Sequence, residues 1–132
     1  ISMRLVPNQD PERIADLFEE NMVSIAPPTV ELKLSRVHGG TPWVAPLDHP
    51  ALQSASVAVE KGFGKKPVFQ REGGSIPIVS TFEKLLGVPS VLMGIGLPGE
   101  TAHAPTEYLS LTQFDAGLKA AVYFLEEFAK GK

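Results

Sequence analysis

The chain has 132 residues, of which 43% are hydrophobic and 20% are charged, as in a folded globular protein rather than a disordered one. Its formal net charge is -3, and no block of basic residues favours nucleic acid or an anionic membrane surface as a partner. The absence of cysteine excludes a disulfide framework and thiolate metal ligands. No apolar run approaches the roughly 18 residues that a membrane-spanning helix needs.

Residues 1–37 predict a β-α-β unit. Alternation of apolar and polar side chains indicates short strands at residues 2–6 and 29–35. Between them, Asp10 and Pro11 predict the start of a helix with one apolar stripe. Two strands and one helix are too few for an independent sheet, so we expect other strands to lie beside them.

Residues 48–132 predict alternating helices and strands, which is an α/β arrangement with a parallel component. The residue patterns indicate helices near 50–62, 76–86 and 110–129, and strands at 68–69 and 90–95. Ser110, with a glutamine three residues on, fits a capping box at the last helix. This helix carries a stripe expected to face the core: Phe114, Leu118, Val122, Leu125 and Ala129.

His103 is the first candidate for chemistry, because it lies in a long irregular loop at residues 94–105, directly after a predicted buried strand. In open α/β sheets, ligands bind outside the carboxyl ends of the strands. A neutral imidazole suits zinc there, Ala102 and Ala104 leave room for an ion, and Glu107 is a candidate to orient the ring. The residues alone favour a solvated loop histidine over a metal ligand.

Two further candidates are Ser75 and Arg4. Ser75 ends a Gly-Gly-Ser turn before a helix, where backbone N–H groups can bind an anion and the hydroxyl can cap the helix. The guanidinium of Arg4 matches a carboxylate in geometry. On local grounds alone, capping is favoured for Ser75 and a surface position for Arg4.

Together, three stretches resemble the M20 metallopeptidases, the group of carnosinase, cytosolic dipeptidases and glutamate carboxypeptidases. The first is residues 2–7, the second consists of the loops at 38–43 and 71–77, and the third is the loop at 102–107. The resemblance implies an α/β fold in two parts. Residues 1–40 would be the second half of a ferredoxin-like (β-α-β) lid and dimerisation domain, and residues 41–132 the C-terminal part of a zinc-peptidase catalytic domain.

The resemblance also implies roles for individual residues. His103 would ligate one of two zinc ions, with manganese or cobalt as substitutes. Arg4 would bind the C-terminal carboxylate of a small peptide or acyl-amino-acid substrate. Gly74 and Ser75 would contact the bound peptide near the same end. In the family, two metals polarise the scissile carbonyl and activate a bridging water, and a glutamate is the general base.

The remaining ligands and the general base are expected upstream, since this chain contains no His-x-Asp pair. We therefore expect no catalytic residue here and no hydrolysis by the isolated chain. Its partner would be a missing N-terminal segment of the same protein, and a start at Ile1 without an initiator methionine agrees with a fragment. The whole protein is expected to be a cytoplasmic homodimer, joined through the lid, that hydrolyses peptide or amide bonds next to a free carboxylate.

A second hypothesis retains the fold without the activity. The chain would then be a non-catalytic lid and dimerisation module, or a module that binds peptide carboxylates without cleaving them. The two hypotheses differ in metal content, because only the enzyme requires a dinuclear zinc site.

Overall fold

The structure is a computed structural model and describes residues 1–71 and 76–131. The described chain packs as two compact units: unit 1 is Ile1–Val44 with Arg71–Ser90, and unit 2 is Ala45–Gln70 with Val91–Lys132. The helices in the described ranges are α1 (Pro11–Ile25), α2 (Pro50–Phe63), α3 (Pro77–Leu86), a 3-10 turn (Pro98–Glu100) and α4 (Leu111–Lys130). Over this part of the chain, no helix combines the length and apolarity needed to cross a membrane.

In unit 1, α1 begins where the sequence predicts. The Asp10 carboxylate accepts a hydrogen bond from the N–H of Arg13 at 2.9 Å, and Pro11 occupies the first helical position. No residue of α1 is buried, and Leu17 and Ile25 are exposed. The apolar stripe of α1 therefore has little cover within the described chain.

Arg36 forms ion pairs that connect the segment after α1 to that helix. Its guanidinium nitrogens donate to the carboxylates of Glu12, Asp16 and Glu19 at 3.0, 2.6 and 2.7 Å. The spacing of these acids places them on one face of the helix. The hydrogen bond from Arg36 lowers the pKa of Glu19, and the same contacts raise the pKa of Arg36. This part of unit 1 is thus held by exposed ion pairs rather than by buried apolar contacts.

In unit 2, α2 and α4 pack against each other through small residues. The buried residues of the pair are Ala51, Leu52, Ala55 and Ala58 on α2, and Gly117 and Ala120 on α4. A methyl group on Gly62 would lie 2.7 Å from the Cβ of Ala120, so the helix backbones approach closely at this point. Lys61 adds an ion pair across the same interface, 2.7 Å from a carboxylate oxygen of Glu127.

The predicted strands at 2–6, 29–35, 68–69 and 90–95 are not formed, because residues 1–71 and 76–131 contain no β-strand. The β-α-β half of a ferredoxin-like lid is therefore not supported, and unit 1 is helical with irregular segments. The physical reason is that a strand exists only as one partner in a hydrogen-bonded ladder. Alternating side chains reveal a preference for such a ladder, but they do not supply the neighbouring strand.

The predicted core stripe of α4 is also wrong for this chain. Phe114, Leu118, Val122 and Leu125 are 48%, 54%, 66% and 68% exposed, and Ala129 is exposed as well. The face that packs on α2 instead carries Gly117 and Ala120, because small residues permit the close approach of two helices. The large apolar residues form an uncovered surface, here called the outer face of α4 (Phe114, Leu118, Val122, Leu125).

Candidate metal-binding loop

The loop at residues 97–110, here called the His103 loop, contains an unusual backbone. Thr101 and His103 both adopt positive φ angles, of 49° and 68°. This left-handed region is costly for residues with a Cβ atom, and such residues persist only where the surrounding structure determines them. Because conformations of this kind cluster at functional sites, the backbone marks the loop as a candidate site independently of the histidine.

Short-range hydrogen bonds hold the loop in this shape. The carbonyl of Thr101 accepts from the N–H of Ala104 at 2.9 Å, and the carbonyl of Ala104 accepts from the N–H of Glu107 at 3.0 Å. The carbonyl of Glu100 accepts from the N–H of Tyr108 at 3.3 Å. The loop is therefore closed by bonds among its own residues.

Glu107 acts on the backbone of His103. Its Oε2 accepts a hydrogen bond from the His103 N–H at 3.1 Å. The sequence suggested that Glu107 orients the ring, whereas in this structure it stabilises the left-handed residue that carries the ring. The carboxylate thus fixes the direction in which the His103 side chain leaves the loop.

The His103 side chain is exposed, so its imidazole is accessible to an ion from solvent. Within residues 1–71 and 76–131, no group of three or more histidines, cysteines or carboxylates is placed to hold a metal. His103 is therefore a single candidate donor on a fixed loop. Any ion bound there would need its other ligands from outside the described residues.

The helix after the loop begins as predicted, since Ser110 is the N-cap of α4. The predicted capping box is wrong, because the Ser110 side chain makes no capping hydrogen bond. Instead, the backbone N–H of Ser110 donates to Oε1 of Glu100 at 3.0 Å. Glu100 was not predicted from the sequence. The available signal was an acidic residue at the third position of the 3-10 turn that begins at Pro98, where a carboxylate often accepts the N–H of the N-cap residue.

Gly74 and Ser75 lie outside the described residues, and so does the proposed capping role of Ser75. The helix they precede, α3, does begin at Pro77 and end before Gly87, as predicted. Gly87 has the left-handed φ of 66° common at helix ends.

The first turns of α3 line a groove of about 520 Å³ in unit 1. Gly40 approaches Pro77 so closely that a methyl group on Gly40 would lie 2.6 Å from the Cβ of Pro77. Lys84 donates to the hydroxyl of Thr41 at 3.1 Å and closes one side of the groove. The described part of unit 1 therefore contains a groove at the start of α3.

Arg4 is exposed in unit 1 and makes no hydrogen bond or ion pair with the part of the chain that the structure describes. Its guanidinium is accordingly available to a carboxylate. Arg4 and His103 belong to different units, so the roles predicted for them rest on each residue separately.

Residues 4–127 match the sequence profile of peptidase family M20/M25/M40. The chain therefore belongs to this family, and the M20 resemblance inferred from the three sequence stretches is confirmed. The match includes Arg4, the segment around Ser75 and the His103 loop.

Individual relatives are metallodipeptidases. The chain is 32% identical over 131 residues to the Cys-Gly metallodipeptidase dug1 of Schizosaccharomyces pombe, covering 97% of this chain and 28% of the relative. It is 28% identical over 129 residues to the human Beta-Ala-His dipeptidase, covering 95% and 25% of the two chains. The chain thus spans about a quarter of the length of the relatives that it matches.

A solved structure also matches the fold. The di-peptidase Dug1p of Saccharomyces cerevisiae superposes with a TM-score of 0.84 at 29% identity. The match covers 96% of this chain and 27% of the Dug1p chain. The backbone therefore has the same fold as about a quarter of the Dug1p chain.

Proposed function

We propose that this chain is the C-terminal part of a zinc-dependent M20 dipeptidase or carboxypeptidase that hydrolyses peptide or amide bonds next to a free carboxylate. The observation that carries the proposal is the His103 loop, in which a left-handed backbone presents an exposed imidazole within the family match. The names of the relatives, a Cys-Gly and a Beta-Ala-His dipeptidase, support a small peptide as the substrate.

In this proposal, His103 is one ligand of a dinuclear zinc site, and manganese or cobalt can replace zinc there. An exposed imidazole on a loop that is held by hydrogen bonds is suited to that role. The described residues provide no complete ligand group, so the remaining ligands and the general base belong to other parts of the protein. Zinc held there would act as a Lewis acid toward the scissile carbonyl and would activate water for attack.

The substrate is held by other residues of this chain. Arg4 binds the terminal carboxylate, because an exposed guanidinium with no partner among the described residues can donate two parallel hydrogen bonds to it. Gly74 and Ser75 contact the same end of the peptide, as the resemblance to the M20 family implies. The isolated 132 residues do not hydrolyse the substrate, because they contain no His-x-Asp pair.

The assignment of residues 1–40 to a lid and dimerisation domain, and of residues 41–132 to the catalytic domain, is part of the same proposal. So are a homodimer joined through the lid and a cytoplasmic location. The poorly covered apolar stripe of α1 supports the assignment of residues 1–40 to a dimerisation domain, because an exposed apolar surface is typical of a protein interface.

The alternative is a non-catalytic lid and dimerisation module, or a module that binds peptide carboxylates without cleaving them. The exposed guanidinium of Arg4, which has no ion-pair partner among the described residues, favours the carboxylate-binding form. The alternative predicts a full-length protein that contains no zinc.

The test is His103→Ala in the full-length protein, with zinc content and kcat/KM as the two measurements. We expect loss of bound zinc and a fall in kcat/KM of at least about 100-fold, since even residues that only support a ligand contribute about 10- to 100-fold.

The matched control is His49→Ala, which removes an imidazole whose role is structural. Nδ1 of His49 accepts the N–H of Ala51 at 3.1 Å at the start of α2. Loss of this cap costs about 1 kcal/mol of stability and leaves the zinc in place. Full zinc content and activity in His103→Ala would contradict the proposal.

A further inference from the structure

Glu100 is a buried carboxylate in the His103 loop, with 7% of its surface exposed. Both of its oxygens are used. Oε2 accepts the N–H of Leu97 at 2.9 Å, and Oε1 accepts the N–H of Ser110 at 3.0 Å. Burial of a carboxylate is costly unless it is hydrogen-bonded, so these two bonds are what make the buried position tolerable.

The two donors are the first and last residues of the His103 loop. One carboxylate therefore ties Leu97 to Ser110 and closes the loop at its base. The backbone carbonyl of Glu100 adds a third bond, to the N–H of Tyr108. Because Ser110 is the N-cap of α4, the base of the loop is attached directly to a helix that packs on α2.

The residues before the loop are fitted to the same arrangement. A methyl group on Gly96 would lie 2.9 Å from Oε2 of Glu100, so a larger residue at this position would require the carboxylate to shift. Ile95 covers Gly117 of α4, where an added Cβ would lie 2.8 Å from its Cδ1. The entry to the loop is thus packed on α4 at one residue and shaped around Glu100 at the next.

We propose that Glu100 is a positioning residue for His103: by joining both ends of the loop to α4, it fixes the orientation in which the imidazole meets the metal. This inference rests on the proposed role of His103 as a ligand. Residues that hold ligands in place contribute to metal affinity without contacting the metal. Glu107 stabilises the backbone conformation of His103 through one hydrogen bond, and Glu100 holds the two ends of the loop that contains His103.

The first test is Glu100→Gln in the metal-free full-length protein. The amide has the same size, but its oxygen accepts only one of the two N–H groups and its NH₂ must face the other. We expect faster hydrogen exchange at the amide of Leu97 or Ser110, about 10- to 100-fold weaker Co²⁺ binding, and an altered visible spectrum of the bound Co²⁺. Glu60→Gln, on the exposed side of α2, makes the same change of charge and should leave all three measurements unaltered.

A second pair of variants leaves the Glu100 carboxylate intact. Ser110 has φ -64°, which proline adopts, so Ser110→Pro removes the N–H donor without altering the favoured backbone. Ser110→Ala is the reference, because it loses the hydroxyl but keeps the N–H. We expect Co²⁺ to bind Ser110→Pro about 10-fold or more weakly than Ser110→Ala.

Three outcomes would overturn the inference. Unprotected amides at Leu97 and Ser110 in the wild-type protein would mean that the carboxylate does not hold the loop. Unchanged exchange in Glu100→Gln would mean the same. Faster exchange with unchanged Co²⁺ affinity and spectrum would leave Glu100 a structural residue only.

His103→Ala distinguishes this failure from failure of the proposed function. If His103→Ala binds Co²⁺ as tightly as the wild type, His103 is not a ligand and both proposals fail. If His103→Ala loses Co²⁺ binding while Glu100→Gln and Ser110→Pro retain it, only the role of Glu100 is wrong.

Discussion

The His103 loop and the outer face of α4 are neighbours in sequence, but their polar and apolar groups differ in how well they are satisfied by contacts within the chain. The loop is polar and irregular, yet its backbone groups and its buried carboxylate find partners within 14 residues of chain. The outer face belongs to a regular helix, yet its large apolar side chains are about half or more exposed within the described residues. The contrast shows that the loop is ordered by hydrogen bonds among its own residues, whereas the outer face has no apolar neighbour of its own among the described residues.

The largest effect is expected from Leu118→Asp on the outer face, which tests whether this face is buried in the full-length protein. If the rest of an M20 catalytic domain covers this face, a buried unpaired carboxylate should destabilise the full-length protein by about 3 kcal/mol or more. Thermal unfolding of the full-length protein measures this. Leu118→Met is the matched control and should cost less than about 1.5 kcal/mol. An unchanged melting temperature in Leu118→Asp would mean that the face is solvent-exposed in the whole protein.

A second, smaller effect is expected at the interface between α2 and α4. Gly62→Ala adds a methyl group 2.7 Å from the Cβ of Ala120 and 2.8 Å from the backbone of α4. Overpacking of this kind costs about 1–3 kcal/mol, more than the gain of about 1 kcal/mol from better helix propensity. Gly64→Ala is the control for position, because nothing lies near its Cβ and only its left-handed φ is strained. A more stable Gly62→Ala protein, measured by thermal unfolding, would show that the two helices do not approach so closely.

The smallest expected effect concerns the ion pair across α2 and α4. Hydrogen bonds from Lys130 and then from Lys61 lower the pKa of Glu127 from 4.5 to about 2. A carboxyl group with a depressed pKa in the folded state stabilises the fold above its unfolded pKa, and this contribution is lost as pH falls from about 4.5 to about 2.

Wild-type protein should therefore lose more stability than Glu127→Gln on acidification through that range, as measured by urea unfolding at several pH values. Parallel pH dependence of the two proteins would show that Glu127 is not paired in solution. The effect is small because the pair lies at the surface, where solvent screens it.

The helices of this chain could be predicted because their signals are local. Asp10 with Pro11, Pro50 at the start of α2, and Gly87 after α3 each act within one turn of helix. The strands could not be predicted in the same way. Alternation of apolar and polar side chains shows only that a segment favours the extended conformation, whereas a β-strand also needs a neighbouring strand to which its backbone is hydrogen-bonded. The buried face of α4 was assigned to the wrong side for a related reason: which stripe is buried depends on the neighbour, and α2 selects Gly117 and Ala120.

The candidate site was predicted in part. His103 stood out because an imidazole in a loop of small residues after an apolar run is uncommon, and the family match includes it. Glu100 was missed because a glutamate in a polar loop normally reads as solvated. Its burial follows from two N–H donors, three residues before it and ten residues after it, which meet only when the loop closes.

The most direct test of the account is anomalous diffraction at the zinc edge from crystals of the full-length protein. We predict two metal peaks in one site, with one peak about 2.0–2.1 Å from a ring nitrogen of His103. Zinc peaks remote from His103, or a zinc-free protein that still cleaves dipeptides, would contradict the assignment of His103 as a metal ligand.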